Sequence, residues 1–378
     1  MQPNSPLHQL MATVYSILPL TAIIVLTMLF WRVQSPLRLV WVITGFITIL
    51  CCISDWVLLA RLPHLGLSFG PVSPSLFMIN FIRLILILVA FSLIASSVAT
   101  WQRIGISLVV GLIQVLFLAI LYNGLYIEPF HLTVTEVHIP QAPAFLPDRP
   151  LRILQISDLH LEHITSRELA MLEKAKTLTP DLIVMTGDYL NRSFLKDPQT
   201  LQETRRLLSQ LHAPYGVYAI NGNSDKPSIM TSLFDGIDNI RVLDDEIMPI
   251  IFQSGTLYLI GGSTIDHNRD YVKIESLMTE LPPDVYSVLL YHNPERVDIA
   301  SASGVDVFLA GHTHGGQVRL PLIGTVTVSQ WVNPFTMGKY QVGPTTLFVS
   351  RGLGMQGGIW PRIRLNCPPE MVLVSLGK

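Results

Sequence analysis

The sequence predicts two different materials in one chain: an N-terminal region of four membrane-spanning helices and an α/β domain built on a central sheet. Three observations carry this prediction. Four long apolar stretches fill the first third, charged residues nearly vanish there, and short apolar runs alternate with helical spacing in the rest. Of 378 residues, 49% are apolar and 14% charged, and the imbalance is local. Residues 1–128 hold five arginines, two acids and no lysine, and the first lysine of the chain is Lys174. The expected domains are therefore 1–128, spanning the membrane four times, and 129–378.

The four expected spans run over residues 14–31, 37–60, 78–100 and 104–126, close to or above the roughly 18–20 apolar residues that cross a bilayer as a helix. Trp31, Trp41, Trp101, Tyr122 and Tyr126 lie near their ends, where aromatic belts form. A cleaved signal peptide is disfavoured, because the first stretch lacks a basic leader and runs straight into the second. Asp55 and Arg83 fall inside or near the ends of the second and third spans, where a charge either serves a function, pairs, or snorkels to an interface. Arg32, Arg38 and Arg103 sit in the first and third loops, against Arg61 alone in the second. By the positive-inside rule the N-terminus and everything after the fourth span lie outside the cytoplasm. The expectation is a multi-pass inner-membrane protein of bacterial type with an extracytoplasmic domain.

Cys51, Cys52 and Cys367 outline no disulfide framework, and a net charge of −2 points to no nucleic-acid partner. From about residue 130 the pattern changes. "HLTVTEVHI" alternates as a half-exposed strand, and the Pro-rich "PQAPAFLPDRP" reads as a linker. The runs "LRILQIS", "DLIVMTG", "GVYAING", "YSVLLYH" and "VDVFLAG" read as buried strands, with "SRELAMLEKAKTL" and "PQTLQETRRLLSQLH" as helices between them. "GTLYLIGG", "TTLFVS" and "EMVLVSL" read as further, antiparallel strands.

Each of the five buried runs ends in residues that bind metals. Asp158 and His160 follow the first, Asp188 the second, Asn223 the third, His292 the fourth, and His312 and His314 the fifth. Ligands of open α/β sheets bind at such strand ends. Residues two apart in an extended segment point the same way, so Asp158-x-His160 and His312-x-His314 can each reach one centre. Glycines 187, 222, 311, 315 and 316 permit tight turns beside them. Mixed Asp, His and Asn donors suit Mn, Fe(II) or Zn, and seven donors suffice for two ions if one carboxylate bridges. Two such ions activate a water and clamp the oxygens of an in-line displacement at phosphorus.

"SDLH", "TGDY", "NGNSD", "YHNP" and "GHTHGGQ", in that order, resemble the calcineurin-like metallophosphoesterases, and the tail "SRGLGMQGGIWPRIRLNCPPE" resembles their bacterial, membrane-attached branch. The resemblance covers about residues 130–378. It implies a four-layer α/β/β/α sandwich and a dinuclear centre of two divalent ions (Mn, Zn or Fe). It further implies that Asp158, His160 and His314 hold one ion, that Asn223, His292 and His312 hold the other, and that Asp188 bridges, with a hydroxide between the ions as the attacking group. One position departs from the family pattern: Ser224 stands where a histidine usually follows the asparagine, contacts phosphate and protonates the leaving group. Serine supplies no such proton, so the substrate has a good leaving group, as in a pyrophosphate bond, or another residue takes over, with His163, Lys226 and His267 as candidates. Asp225 is expected to orient the Asn223 loop, and Gln317 or Arg351 to contact phosphate oxygens.

The activity implied is a membrane-anchored phosphoesterase cleaving phosphodiester or pyrophosphate bonds, with catalytic candidates Asp188, Asn223, Ser224 and Asp225. Its expected partners are membrane lipids and a lipid-linked phosphate ester or pyrophosphate. Some relatives cleave UDP-diacylglucosamine, so a UDP-2,3-diacylglucosamine pyrophosphatase facing the cytoplasm is one alternative. A non-catalytic membrane sensor or transport component that binds metal is another.

Overall fold

A computed structural model describes residues 6–32, 38–68, 72–96, 99–140, 149–253, 255–264, 270–326, 334–357 and 362–377. The chain forms two compact units: Met1–Leu125 with Gly357–Ile363, and Tyr126–Gln356 with Arg364–Lys378.

The first unit consists of helices α1 (Pro6–Trp31), α2 (Arg38–Arg61), α3 (Val72–Ser96) and α4 (Thr100–Tyr122). Among the described residues three segments are long and apolar enough to cross a membrane: Arg38–Leu65, Leu76–Ser96 and Thr100–Phe130. The described apolar part of α1, Leu18–Leu29, is shorter. Among the described residues three candidate spans thus meet the length and hydropathy of a membrane crossing, where four were expected. Many of the large side chains these helices turn outward, such as Leu39, Leu108 and Leu112, are apolar, as a lipid-facing surface requires. Three of the inward polar groups satisfy one another. Arg83 grips Asp55 with two hydrogen bonds of 2.7 and 2.9 Å and donates to the Gln114 side chain at 2.8 Å. All three are buried, so pairing is the outcome for these two charges.

The second unit carries two six-stranded sheets. The first has the order β1 (Thr133–Ile139), β14 (Glu370–Leu376), β2 (Leu151–Ile156), β3 (Leu182–Met185), β4 (Val217–Ala219) and β5 (Ile240–Val242). The second runs β12 (Gly338–Val342), β13 (Thr345–Val349), β9 (Val307–Ala310), β8 (Tyr286–Leu290), β7 (Gly255–Gly261) and β6 (Glu246–Phe252). A small hairpin pairs β10 (Arg319–Leu320) with β11 (Gly324–Thr325). Strands β2, β3, β4 and β5 are mutually parallel, as are β7, β8 and β9, which aligns the C-terminal ends within each set.

The central strands read as unbroken apolar runs because both of their faces are covered. Leu154 and Ile156 of β2 and Ile183 and Met185 of β3 join the core formed with α5 (Ser166–Thr177), α6 (Pro198–Leu208) and α7 (Pro227–Phe234). Ile153, Leu182 and Val184 point the other way, into a core shared with Leu257, Leu259, Val288, Leu290, Val307 and Leu309 of the second sheet. Leu289 and Phe308 then pack with α8 (Asp270–Thr279) and α9 (Val297–Ala302). Helix starts are chemically marked. Thr165 and Glu168 form a capping box on α5, while Asp197 caps α6 through the Thr200 N–H at 2.8 Å, with Pro198 first in the helix.

The three late runs expected to be antiparallel each have neighbours of both kinds. β7 is antiparallel to β6 but parallel to β8; β13 is antiparallel to β12 but parallel to β9; β14 is antiparallel to β2 but parallel to β1. The antiparallel reading thus describes one edge of each strand, and the other edge is parallel. The expected linker at 140–150 falls largely outside the described residues.

Candidate metal centre

All seven predicted donors stand within four residues of a strand end. Asp158 and His160 follow β2, Asp188 follows β3, Asn223 follows β4, His292 follows β8, and His312 and His314 follow β9. The pairs converge by a route other than extended alternation. Asp158 and His160 have φ of 50° and 38°, His312 and His314 of 72° and 52°, and Asp188 of 59°. Five non-glycine residues in the left-handed region within one cluster are costly, and such strain concentrates at functional sites. Glycine is required at two neighbouring positions. A Cβ on Gly222 would lie 2.3 Å from Asp188 Oδ1, and one on Gly311 would lie 2.3 Å from Asp158 Oδ2.

The side chains form two overlapping groups in which each residue offers one donor atom and those atoms lie within 4.8 Å of one another: Asp158, His160 and His314, and Asp158, Asp188 and His292. His160 Nε2 is 3.1 Å from His314 Nε2 and 3.3 Å from Asp188 Oδ2. His314 Nε2 is 3.5 Å from Asp158 Oδ1. His292 Nε2 lies 3.6 Å from Asp188 and 3.9 Å from Asp158, while Nδ1 faces the Thr186 carbonyl at 2.7 Å. That carbonyl makes Nδ1 the protonated nitrogen and aims Nε2 at the carboxylates. Asn223 Nδ2 and His312 Nδ1 are 3.3 Å apart. Asn223 is exposed and His312 half-buried, whereas the other five donors are buried, so the solvent side of the cluster is theirs.

The donor set fits divalent cations. Asp158 and Asp188 are buried at 0% and 1% exposure, and among the described residues neither pairs with a lysine or arginine. Asp158 receives Ser157 Oγ at 2.6 Å and the His312 N–H at 3.1 Å, and Asp188 receives the Ser224 N–H at 2.8 Å. Buried carboxylates beside buried imidazoles need a cation or a proton. Without a cation the strain shows in the proton affinities. Burial pushes the Asp158 carboxyl up to about 6, with Asp188 adding to the rise. Burial also acts to raise Asp188, but His292 and His160 pull it below the usual carboxylate range. Burial lowers His312 to about 3, helped by the neighbouring His292 charge, and burial and His160 lower His314.

Other sequence-predicted residues land differently. Asp225 is buried and accepts the backbone N–H groups of Asp188 (2.5 Å), Tyr189 (3.1 Å) and Gly222 (2.8 Å), so it ties the Asp188 loop to the Asn223 loop. Ser224 is buried, with its Oγ 3.2 Å from Asp188 Oδ2. Arg351 and Gln317 are committed elsewhere. The Arg351 guanidinium pairs with Glu370 at 2.6 Å, because a buried carboxylate outcompetes solvent for it, and Gln317 bonds the Gln356 backbone. His163 faces Glu203 at 3.6 Å and the Phe194 ring, and Lys226 is the exposed residue before α7. His267 lies outside the described residues.

Two arginines were missed by the sequence reading. Arg192 donates from Nε to Ser224 Oγ at 3.0 Å and lies close enough to His312 to disfavour its protonation. Arg364 is wholly buried and donates to the carbonyls of Arg351, Gly352, Gly354 and Cys367. It thereby fixes the tail loop that passes Asp158, where a Cβ on Gly352 would lie 2.5 Å from the Asp158 Cβ. The stretch "RIRLNC" carried the hint, with Arg362 and Arg364 two apart around an apolar residue.

The comparisons agree with this geometry. A family model described as calcineurin-like phosphoesterase matches residues 151–316. The uncharacterized metallophosphoesterase YkuE of Bacillus subtilis is 31% identical over 267 residues, covering 66% of this chain and 87% of that protein. The UDP-2,3-diacylglucosamine pyrophosphatase LpxG of Chlamydia trachomatis is 28% identical over 304 residues, covering 66% and 90%. The phosphodiesterase YaeI of Escherichia coli is 27% identical over 256 residues, covering 62% and 85%. A family that uses a dinuclear metal centre accounts for buried carboxylates surrounded by imidazoles, and the chain belongs to the calcineurin-like phosphoesterases as a metal-dependent hydrolase.

Proposed function

We propose that the protein is a membrane-anchored dinuclear-metal phosphoesterase that hydrolyses phosphodiester or pyrophosphate bonds of lipid-linked substrates. The observation that carries this is the convergence of Asp158, Asp188, His160, His292 and His314 into one buried cluster whose open side bears Asn223 and His312. Asp158, His160 and His314 would hold one ion, Asn223, His292 and His312 the other, and Asp188 both. When bound, the ions supply Lewis acidity that activates water and neutralises charge on the phosphoryl oxygens.

The chain's own residues do the rest. Thr186 and Ser157 fix the orientation of His292 and Asp158. Asp225 holds the two loops that present Asp188 and Asn223. Ser224, hydrogen-bonded to Asp188 and to Arg192, supplies no acid; Arg192 supplies positive charge to a phosphoryl oxygen at the open side. A site with a fixed cation and no proton donor suits leaving groups that are already weak bases, such as a phosphate in a pyrophosphate bond.

In this reading residues 1–128 form four spans, residues 129–378 fold as a four-layer α/β/β/α sandwich, and the arginine distribution supports a sandwich outside the cytoplasm. The test is hydrolysis of a bis-aryl phosphodiester beside its monoester in Mn²⁺ by the purified protein. A diester rate well above the monoester rate and lost in Asp188→Ala is expected; equal rates in both proteins would refute it. A second reading, UDP-2,3-diacylglucosamine pyrophosphatase, is favoured by the length of the match to LpxG. It requires a cytoplasmic domain. Cleavage of that nucleotide-lipid, with a C-terminal periplasm-dependent reporter staying silent, would select it.

A further inference from the structure

Beyond Ile127 in the chain, six large hydrophobic side chains stand exposed among the described residues: Leu169, Ile251, Leu320, Leu322, Ile323 and Val326. Four of the six fall within the stretch "PLIGTV" and the residue before it, on the β10–β11 hairpin, so the clustering is not the scatter of single apolar residues that every surface shows. Leu322 and Ile323 form the tip, at 108% and 67% exposure. Leu322 also has φ of 67°, a conformation that a tight turn normally gives to Gly, Asn or Asp. The turn thus accepts a strained backbone and presents a bare leucine to the exterior, although a cheaper and more soluble residue fits the geometry better.

The base of the hairpin is firmly held beside the metal centre. Arg319 donates from Nη1 to the Gly315 carbonyl at 3.0 Å, next to His314, and its N–H bonds the Leu365 carbonyl at 2.9 Å. The segment 318–326 has one charge, Arg319, and no acid, so it meets no electrostatic barrier at an anionic lipid surface. The residues that begin this unit follow α4 directly in the chain, which keeps a bilayer within covalent reach throughout.

We propose that the tip of the β10–β11 hairpin, Leu320 to Val326, inserts into the interfacial layer of the bilayer and seats the metal centre at the level of phospholipid-type head groups. The proposal rests on the membrane-anchored reading above, and it names the lipid surface as the partner of this loop. A shallow wedge of aliphatic side chains gains the transfer free energy of those side chains and leaves the hydrogen-bonded hairpin base in water. A lipid-linked phosphate then reaches the open side of the cluster without leaving its membrane.

The three native cysteines are buried, so a single introduced thiol can be labelled selectively. The full chain would be placed in lipid nanodiscs with an environment-sensitive fluorophore on Leu322→Cys or, as control, on Ile251→Cys, which is also exposed, on β6, and far from the turn in sequence. The expected result is blue-shifted emission at position 322, quenched by lipids carrying a nitroxide on the upper acyl chain and protected from aqueous iodide, with the control behaving oppositely. Iodide quenching equal to that of the control would overturn the proposal. A blue shift that no nitroxide lipid quenches would overturn it in favour of a second protein copy on the tip. A chain that does not enter nanodiscs at all would remove the anchored reading, and this proposal with it.

Discussion

His160 and His314 meet Nε2 to Nε2 at 3.1 Å, with their rings stacked at a centroid distance of 4.8 Å. Two neutral imidazoles at that separation share at most one hydrogen, and the Asp158 carboxylate lies 3.5 Å from the second nitrogen. A divalent cation between the two nitrogens would be held by both lone pairs and by the carboxylate, so metal binding is expected to add to the folding free energy. Chelation is expected to lower the melting temperature, and Mn²⁺ or Zn²⁺ to restore it. At a free ion concentration of a hundred times Kd, the gain is about 2.7 kcal/mol. His314→Ala should shrink the gain. Thermal unfolding with and without chelator is the measurement, and a melting temperature indifferent to both would count against a metal centre.

Loading the metal should also release a proton. Burial lowers the pKa of His292, but Asp188 and Asp158 beside it raise it further, to about 10 in the metal-free protein. A metal ion needs the nitrogen that this proton occupies. The sign follows: the proton competes at every pH below about 10, so apparent metal affinity weakens as pH falls. Titration calorimetry at pH 7.5 in buffers of different ionisation enthalpy should therefore show net proton release. Identical heats in all buffers would contradict it.

Asp225 is the strongest structural dependence of the site outside the donors. Asp225→Ala would leave the buried N–H groups of Asp188, Tyr189 and Gly222 without their acceptor. Each orphaned buried group costs about 1–3 kcal/mol, so several kcal/mol of destabilisation and a loss of bound metal are expected together. Asp225→Asn should be intermediate, since its amide oxygen can still accept from Asp188 and Gly222 while its NH2 opposes the Tyr189 N–H. Chemical denaturation combined with metal analysis tests this; a variant of normal stability and full metal content would show that the two loops hold without it.

How much of this was legible in the sequence follows from how local each feature is. Asp158, Asp188, Asn223, His292 and His312 each announce themselves by ending an apolar run, because a parallel strand buried on both faces leaves no other pattern. The left-handed backbone at Asp158, His160, His312 and His314 leaves no trace in composition, so the reason for their convergence was misread even though the residues were identified. Arg192 was invisible for a different reason: its partner Ser224 is 32 positions away, and the contact exists only because β3 and β4 are neighbours. Sheet membership was equally hidden, since β7 and β3 look alike as strings and differ only in which crossover delivers them.

Arg192 gives the sharpest test of how the missing histidine is compensated. A charge-assisted hydrogen bond is worth about 1.5–3 kcal/mol, so Arg192→Ala should lower kcat/KM for a phosphodiester roughly tenfold to a hundredfold. Metal content should be unchanged, because Arg192 touches Ser224 and none of the donors directly. The loss should be larger for an alkyl leaving group than for an aryl one if the cation offsets leaving-group charge. Ser224→His in the same background restores an acid, and its benefit should likewise grow with leaving-group basicity. Equal losses across leaving groups would assign Arg192 to binding alone.

The Asp55–Arg83 pair is a bolt among three helices whose net contribution depends on what replaces it. The bidentate contact and the Gln114 bonds satisfy the guanidinium, and Phe117 lies 4.9 Å beneath it. Removing one partner strands a charge in a buried, water-poor setting, at a cost of about 3–5 kcal/mol, whereas replacing both with apolar residues of similar volume is often neutral or stabilising. Asp55→Leu alone should therefore destabilise the detergent-solubilised protein strongly, and the double variant Asp55→Leu, Arg83→Met should recover most of the loss. Thermal unfolding of the four proteins in the cycle measures the coupling directly. If the double variant is as stable as the parent yet hydrolyses phosphodiesters at the parental rate, the pair serves register and assembly of the helices. If stability returns without activity, the intramembrane charges take part in function, as ionisable groups at that depth commonly do.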